Sequence, residues 1–280
     1  MPLITVNNAL YLGQKTLRPI TNNYKNEVLW IMQDVLNKDT QYISLNKSSN
    51  LESDKYDLFV NLIKRRAKKE PLQHILNSVS FYGYNFNVKK NVFIPRPETE
   101  LIIDIIKNNI NVKGNILEIG TGTGCIPIVI ELEKIGDIIH SIDINKVATD
   151  LAVQNSKKYK SKSIEFINTD FFQFNPQCKY DLIISNPPYI PLIEIPKLDY
   201  EVTLYDPLNA LTDYDNGLTF YQYFFDFGIK YLNNRGYMLF EFGGKEQVDS
   251  LRKIFKNKIF NCKFFDDLNN DPRFILIQKK

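Results

Sequence analysis

A chain of 280 residues, 44% hydrophobic and 13% aromatic, holds enough apolar material for a large core, which excludes global disorder. Its net charge of +3 is unevenly spread: residues 1–90 carry 13 Lys/Arg against 7 Asp/Glu (+6), residues 91–280 carry 22 against 25 (−3). No apolar run approaches the ~18 residues of a membrane helix, no signal-peptide pattern opens the chain, three scattered cysteines (Cys125, Cys178, Cys262) fit reduced thiols better than a disulfide framework or a zinc site, and two histidines (His74, His140) exclude a histidine-rich metal site. The expectation is a soluble cytoplasmic protein of one or two domains, monomeric and free of metal, with no membrane attachment. The basic front end fits an RNA-rich partner or a solvated helical surface about equally.

Residues 1–22 are irregular, with at most a weak helical signal. Residues 24–37 carry Val28, Leu29, Met32, Val35 and Leu36 at helical spacing. Asp54 to Lys69 repeats the pattern with Leu58, Phe59, Leu62 and Ile63, after a cap at Ser53 and before Pro71. Lys64, Arg65, Arg66, Lys68 and Lys69 suit the negative end of that helix. These patterns define a helical domain over residues 1–78. Over residues 79–94 the period becomes two, through Val79, Phe81, Tyr84, Phe86, Val88 and Phe93, predicting a β-hairpin connector that turns near Lys89-Lys90-Asn91. Residues 95–280 form the remaining domain, opening on a stiff charged loop and a helix from Leu101 to Asn109.

From residue 115 strands and helices alternate. Strands are predicted at Ile116–Ile119, Ile138–Ile142, Ile164–Ile167, Leu182–Ser185, Tyr237–Glu241, Cys262–Asp266 and Phe274–Gln278. Helices fall at Ile126–Glu133, Lys146–Tyr159, Leu218–Leu232 and Lys245–Phe255. Such alternation predicts an α/β fold, a doubly wound, mostly parallel seven-stranded sheet of Rossmann type.

Gly120-Thr121-Gly122-Thr123-Gly124 follows the first of these strands directly, where glycines let backbone approach a ligand and the next helix offers free N–H groups. Asp143, 19 residues past Gly124 at the end of the next strand, stands where a carboxylate accepts both ribose hydroxyls. Taken alone it also fits a helix cap. Loop and acid together fit a nucleoside site, for which nicotinamide dinucleotides and S-adenosylmethionine compete. Dinucleotide sites favour G-x-G-x-x-G. This loop has another spacing, and Glu118 beside it would repel a pyrophosphate and favour a cationic sulfonium. Asp170-Phe171, after the third strand, is suited to an adenine amino group and ring. S-adenosylmethionine is the better fit.

Asn186-Pro187-Pro188-Tyr189 stops the fourth strand abruptly, because two prolines cannot extend a ladder. It reads as a plain strand-to-loop turn, or as a stiff platform at the carboxyl end of a buried strand, where open α/β sheets keep their chemistry. An Asn amide and a Tyr ring suit a flat sp² nitrogen substrate, either a carboxamide or a base amino group. Nucleic-acid amino-group methylation is therefore a rival to protein methylation, and a non-catalytic cofactor-binding protein is a third reading.

Glu118 to Gly124 with Asp143 resembles the cofactor site of class I methyltransferases, and Asn186 to Tyr189 the signature of amino-group methyltransferases. Glu70-Pro71-Leu72-Gln73-His74-Ile75-Leu76, Phe81-Tyr82-Gly83 and Phe93 to Glu100 sharpen the match. So do Glu201-Val202, Asp206-Pro207, Ala210-Leu211, Gly217-Leu218 and Glu241-Phe242-Gly243-Gly244. Over roughly residues 55–280 the chain resembles the bacterial release factor glutamine methyltransferases, the PrmC/HemK family. The resemblance implies methyl transfer from S-adenosylmethionine to the glutamine amide of a Gly-Gly-Gln motif in peptide chain release factors, with no direct nucleic-acid binding required. A ribosomal-protein glutamine is the sister alternative. The separate helical pattern, the basic front end and the lack of a catalytic constellation there predict that residues 1–78 recognise the substrate protein. By the resemblance, cofactor contacts fall to Gly120, Thr121, Gly122, Thr123, Gly124, Asp143, Phe171 and Asn186. Asn186, Pro187, Pro188 and Tyr189 would hold the glutamine, with Asn186, Pro187 and Tyr189 taking part in catalysis. Phe171 stands where the family often has tryptophan, which keeps a stacking face and loses an indole N–H.

Overall fold

The computed structural model describes residues 4–280 and divides into two compact units between Ser78 and Val79. Among the described residues the first holds five helices: α1 (Val6–Leu17), α2 (Tyr24–Leu36), α3 (Thr40–Leu45), α4 (Ser53–Ala67) and α5 (Leu72–Leu76). Their shared core includes Leu17, Val28, Ile31, Met32, Phe59 and Ile63. Helix α1 corrects the expectation of an irregular start. Its buried stripe is Val6, Ala9, Leu10, Gly13 and Leu17, and small residues in the middle mute the apolar signal. Gly13 is needed for packing, since an added Cβ would stand 2.9 Å from Val28 Cγ1 and 3.0 Å from Phe59 Cζ. Helix α4 begins at Ser53, so that residue is helical and the cap position is Glu52, with no side-chain bond. A buried pair ties α4 to α2: Arg66 Nε donates to Glu27 Oε2 at 2.6 Å.

The second unit opens on a hairpin of β1 (Ser78–Phe81) and β2 (Tyr84–Asn87). Its turn is Tyr82-Gly83, both at positive φ (51° and 79°), not Lys89 to Asn91 as expected. Two consecutive left-handed residues match the twist of a tight hairpin. Phe81 and Phe86 are buried with Ile102 and Ile106 of α6 (Leu101–Asn109), so the hairpin packs into the second unit rather than hanging as a bare connector.

Seven strands follow: β3 (Asn115–Ile119), β4 (Ile138–Asp143), β5 (Ile164–Asn168), β6 (Tyr180–Ser185), β7 (Leu232–Glu241), β8 (Phe260–Asp266) and β9 (Pro272–Lys279). They are ordered β5-β4-β3-β6-β7-β9-β8, parallel except where β9 runs antiparallel between β7 and β8. Helices α7 (Cys125–Leu132), α8 (Lys146–Tyr159), α11 (Thr219–Tyr231) and α12 (Lys245–Ile254) connect them. Two short helices, α9 (Tyr200–Tyr205) and α10 (Leu208–Leu211), lie in a stretch for which the sequence predicts no element. Alternate residues of each strand feed two cores. Ile116, Leu182, Ile184 and Leu239 join α6 and α7 residues in one, while Leu117, Ile183, Met238 and Phe240 join Phe224 of α11 in the other. Each fully buried side chain of this kind contributes about 1.5–3 kcal/mol.

The site follows from this order. β3 pairs with β4 on one side and β6 on the other, so the chain reverses its direction of winding there. Open sheets bind ligands in the crevice beyond the carboxyl ends of strands at that switch point.

Candidate active site

A cavity of about 410 Å³ occupies that crevice. The loop leaving β3 forms its floor. Gly120 and Thr121 donate their N–H groups to Ile142 O (2.9 and 3.1 Å), which ties the loop to β4. Gly122, at φ 54°, lines the cavity, and a Cβ added there meets nothing within 4 Å. Gly124, at φ 79°, begins α7 from outside the cavity wall: its added Cβ would stand 2.8 Å from Ala152 Cβ, so it serves packing against α8. Gly120, Thr121 and Thr123 line the cavity.

Asp143 ends β4 on the cavity wall. Its Oδ2 accepts Gly122 N–H at 2.9 Å and its Oδ1 accepts Asn145 N–H at 2.8 Å. The cap of α8 is Asn145, whose side chain accepts Val147 N–H, so Asp143 is not needed for that task. A carboxylate has about four acceptor positions, and two remain for a ligand's hydroxyls. Burial raises the Asp143 pKa, against the two backbone bonds that oppose the rise. Glu118 is not on the wall. It is 1% exposed and accepts from Ser141 Oγ, and burial pushes its pKa well up. It does not present the open negative charge expected of it. Asp170 caps the short turn Phe171–Gln173 through Phe172 N–H, and both Asp170 and Phe171 line the cavity. The Phe171 ring is 5% exposed and packed among Phe220, Tyr223, Phe224 and Phe227.

Asn186, Pro187 and Pro188 line the far side of the same cavity. Asn186 Nδ2 donates to Thr99 Oγ1 at 3.1 Å, which commits the nitrogen end of the amide and leaves Oδ1 available to a ligand. Tyr189 is not a lining residue. Its hydroxyl donates to Glu241 Oε1 at 3.1 Å, and its carbonyl accepts from Gln247 Nε2 at 2.9 Å. These two bonds anchor Tyr189 behind the loop. Burial raises the Tyr189 pKa further above its usual value, so the phenol stays protonated.

Sequence reasoning missed Thr99 and Glu241 as site residues, having quoted both only as parts of longer stretches. Glu241 is 2% exposed at the end of apolar β7, and its Oε2 accepts from Thr99 Oγ1 at 2.8 Å. Burial pushes its carboxyl up to about 7, against the bonds from Thr99 and Tyr189 and the nearby Arg273 charge. An acid closing an apolar strand is itself the signal that marks it. Asp213 was also missed. It lines the cavity and accepts N–H bonds from Asp215, Gly217 and Thr219, which hold its carboxyl below the usual range despite burial. The described residues contain no cluster able to hold a metal ion.

Residues 8–76 match the family described as PrmC N-terminal domain, and residues 86–194 that described as Methyltransferase small domain. The release factor glutamine methyltransferase of Fusobacterium nucleatum is 36% identical over 255 residues, spanning 89% of this chain and 72% of that one. The chain belongs to the release factor glutamine methyltransferase family. The relative of that name from Thermodesulfovibrio yellowstonii is 32% identical over 238 residues, 83% of this chain and 85% of that one. A bifunctional methyltransferase of Rickettsia bellii is 32% identical, but the chain spans only 47% of its length. A crystal structure of a methyltransferase from Pyrococcus furiosus shares the fold, with a TM-score of 0.55, 15% identity and coverage of 81% of this chain and 99% of that one.

As a class I methyltransferase, this family member takes its methyl group from S-adenosylmethionine. The cavity fits that donor. Gly122 leaves open space at the floor, and Asp143 keeps acceptor positions for ribose hydroxyls. Apolar Ile144, Ala148 and Phe171 form wall beside them.

Proposed function

We propose that the chain transfers a methyl group from S-adenosylmethionine to the side-chain amide nitrogen of the glutamine in the Gly-Gly-Gln motif of peptide release factors. The observation that carries the reading is Asn186: an amide with its N–H side committed to Thr99 and its oxygen left for the cavity that Asp143 and the glycine loop also line. Family membership names the substrate class for the relatives, and this site suits it.

The bound sulfonium supplies an electrophilic methyl group. The chain's residues do the rest. An amide nitrogen is a weak nucleophile because its lone pair is delocalised. Asn186 Oδ1 and the Pro187 carbonyl each accept one N–H of the substrate amide, which orients the nitrogen and stabilises positive charge growing on it. Pro187 and Pro188 stiffen the platform, since reacting atoms must be held about 3–3.5 Å apart. A nitrogen that has accepted the methyl group would be very acidic and would release its proton to water, so the site's residues need not include a strong base.

Residues 1–78 recognise the substrate protein in this reading, and direct nucleic-acid binding is not required. A separate helical core and the match to the PrmC N-terminal domain support that division of labour. The chain acts as a cytoplasmic monomer; among the described residues no helix is long and apolar enough to cross a membrane. The test is methyl transfer from labelled S-adenosylmethionine to purified release factor, to release factor with its Gly-Gly-Gln glutamine changed to alanine, to ribosomal proteins and to RNA. Label on the intact release factor alone is the expected result. Label confined to ribosomal protein or RNA would overturn it.

A further inference from the structure

Three stretches far apart in sequence meet behind the platform. Thr99 comes from the loop before α6, Asn186 and Tyr189 from the loop after β6, and Glu241 from the end of β7. The bonds run in one direction. A carboxylate accepts and cannot donate. Glu241 Oε2 takes the single hydroxyl proton of Thr99 (2.8 Å), and Glu241 Oε1 takes that of Tyr189 (3.1 Å). Thr99 Oγ1 then has only lone pairs left for Asn186. The amide must meet it with Nδ2, as it does at 3.1 Å. The two ends of an Asn amide are nearly equal in shape, and it is the hydrogen-bond partner that decides which end faces where.

We propose that Glu241 and Thr99 are positioning residues that set the polarity of the Asn186 amide, turning its oxygen toward the substrate carboxamide; this deepens, and rests on, the methyl-transfer reading above. The relay has a built-in inverse. A protonated Glu241 donates through one oxygen. If that proton points at Thr99, the threonine hydroxyl turns and donates to Asn186, and the amide then presents its N–H side to the cavity. Two donors would face each other across the substrate nitrogen, and the acceptor that strengthens in the transition state would be lost.

The groups facing the Glu241 carboxylate come from every neighbouring element. They are Glu98 and Thr99 of the loop before α6, Tyr189 after β6, Tyr221 of α11 and Arg273 of β9. Arg273 favours the ionised form and Glu98 opposes it. Tyr221 binds the Glu241 main-chain carbonyl at 2.6 Å and leaves the carboxylate to Thr99 and Tyr189. Burial places the transition near pH 7, so active polarity belongs to the alkaline side.

The test has two independent arms. In the free protein, selective ¹⁵N labelling of asparagine follows the Asn186 side-chain amide through a pH titration. Its shift is expected to move with a midpoint near 7 in the wild type, and to stay flat in Glu241→Gln and Thr99→Val. In single-turnover methylation of release factor, both variants are expected to lose about 10- to 100-fold in rate at saturation, the range for a misplaced reacting partner. Thr99→Ser restores most of that rate, and calorimetry finds cofactor affinity unchanged in all three. The acid limb of the wild-type rate profile disappears in Glu241→Gln. A wild-type Asn186 amide that does not titrate overturns the relay, as does a Glu241→Gln rate equal to wild type. A loss of cofactor affinity that matches the loss of rate also overturns it. An amide that titrates as stated in a chain that methylates no release factor keeps the relay and removes the substrate reading instead.

Discussion

The two halves of the cavity are built by opposite means. The cofactor half is held by backbone: Gly120 and Thr121 bond Ile142 O, and Asp143 is pinned by Gly122 and Asn145 N–H groups within 21 residues of chain. The acceptor half is held by side chains. Thr99 and Glu241 meet across 142 residues, Asn186 and Thr99 across 87, and Gln247 reaches Tyr189 O across 58. A local backbone motif tolerates changes elsewhere. A side-chain assembly depends on every strand that contributes to it. Binding and chemistry are therefore expected to be separately breakable.

The largest expected effect comes from Asn186→Ala. It removes the oriented acceptor and should cost about 2.7–4 kcal/mol, or roughly 10²–10³ in kcat. Single-turnover methylation at saturating substrate measures it, and cofactor affinity by calorimetry should hold. An equal fall in both would erase the distinction between the halves. Asp143→Ala is the complementary change: a loss of about 1.5–3 kcal/mol in cofactor binding, roughly 10- to 100-fold, with near-normal turnover once cofactor saturates. Unchanged affinity would remove Asp143 from the site. Gln247→Leu takes away the donor to Tyr189 O and the acceptor for Gly243 N–H. Leaving such buried groups unpaired costs about 1–3 kcal/mol. The urea midpoint should fall accordingly while cofactor affinity holds. The smallest effect is set by Lys146→Ala, at the exposed Lys146–Asp150 pair on α8. It should change stability by no more than about 0.5 kcal/mol, and a larger shift in the urea midpoint would show that α8 transmits strain to Asp143.

The same contrast explains what the sequence made legible. Asp143 and the glycines stand close together in the chain, in an order that hydrogen bonding and backbone freedom dictate, so their place could be read directly. The sheet was legible for a related reason, since runs such as Ile138 to Ile142 and the helical stripe of Lys146–Tyr159 carry their own period. Helix α1 was hidden because Ala9 and Gly13 fill its buried face, and only Val28 and Phe59 of other helices explain why small residues belong there. The hairpin turn was misplaced because Lys-Lys-Asn has ordinary turn chemistry, whereas Tyr82 at positive φ is an uncommon choice. Thr99 and Glu241 could not be paired by any local rule, because their contact exists only once β6 and β7 lie side by side.

The span between Thr99 and Glu241 also bears on how activity arises during folding. Contacts between distant residues form late, because the chain must first surrender the entropy of closing a long loop. The Thr99–Glu241 bond requires β7 in place beside β6, and α7 through α11 lie between the two residues in sequence. The glycine loop and Asp143 need only β3 and β4. A molecule caught part-way through folding could assemble its nucleoside floor while its acceptor platform stayed unformed. Methyl transfer would then report complete assembly of the sheet, and ligand binding alone would not.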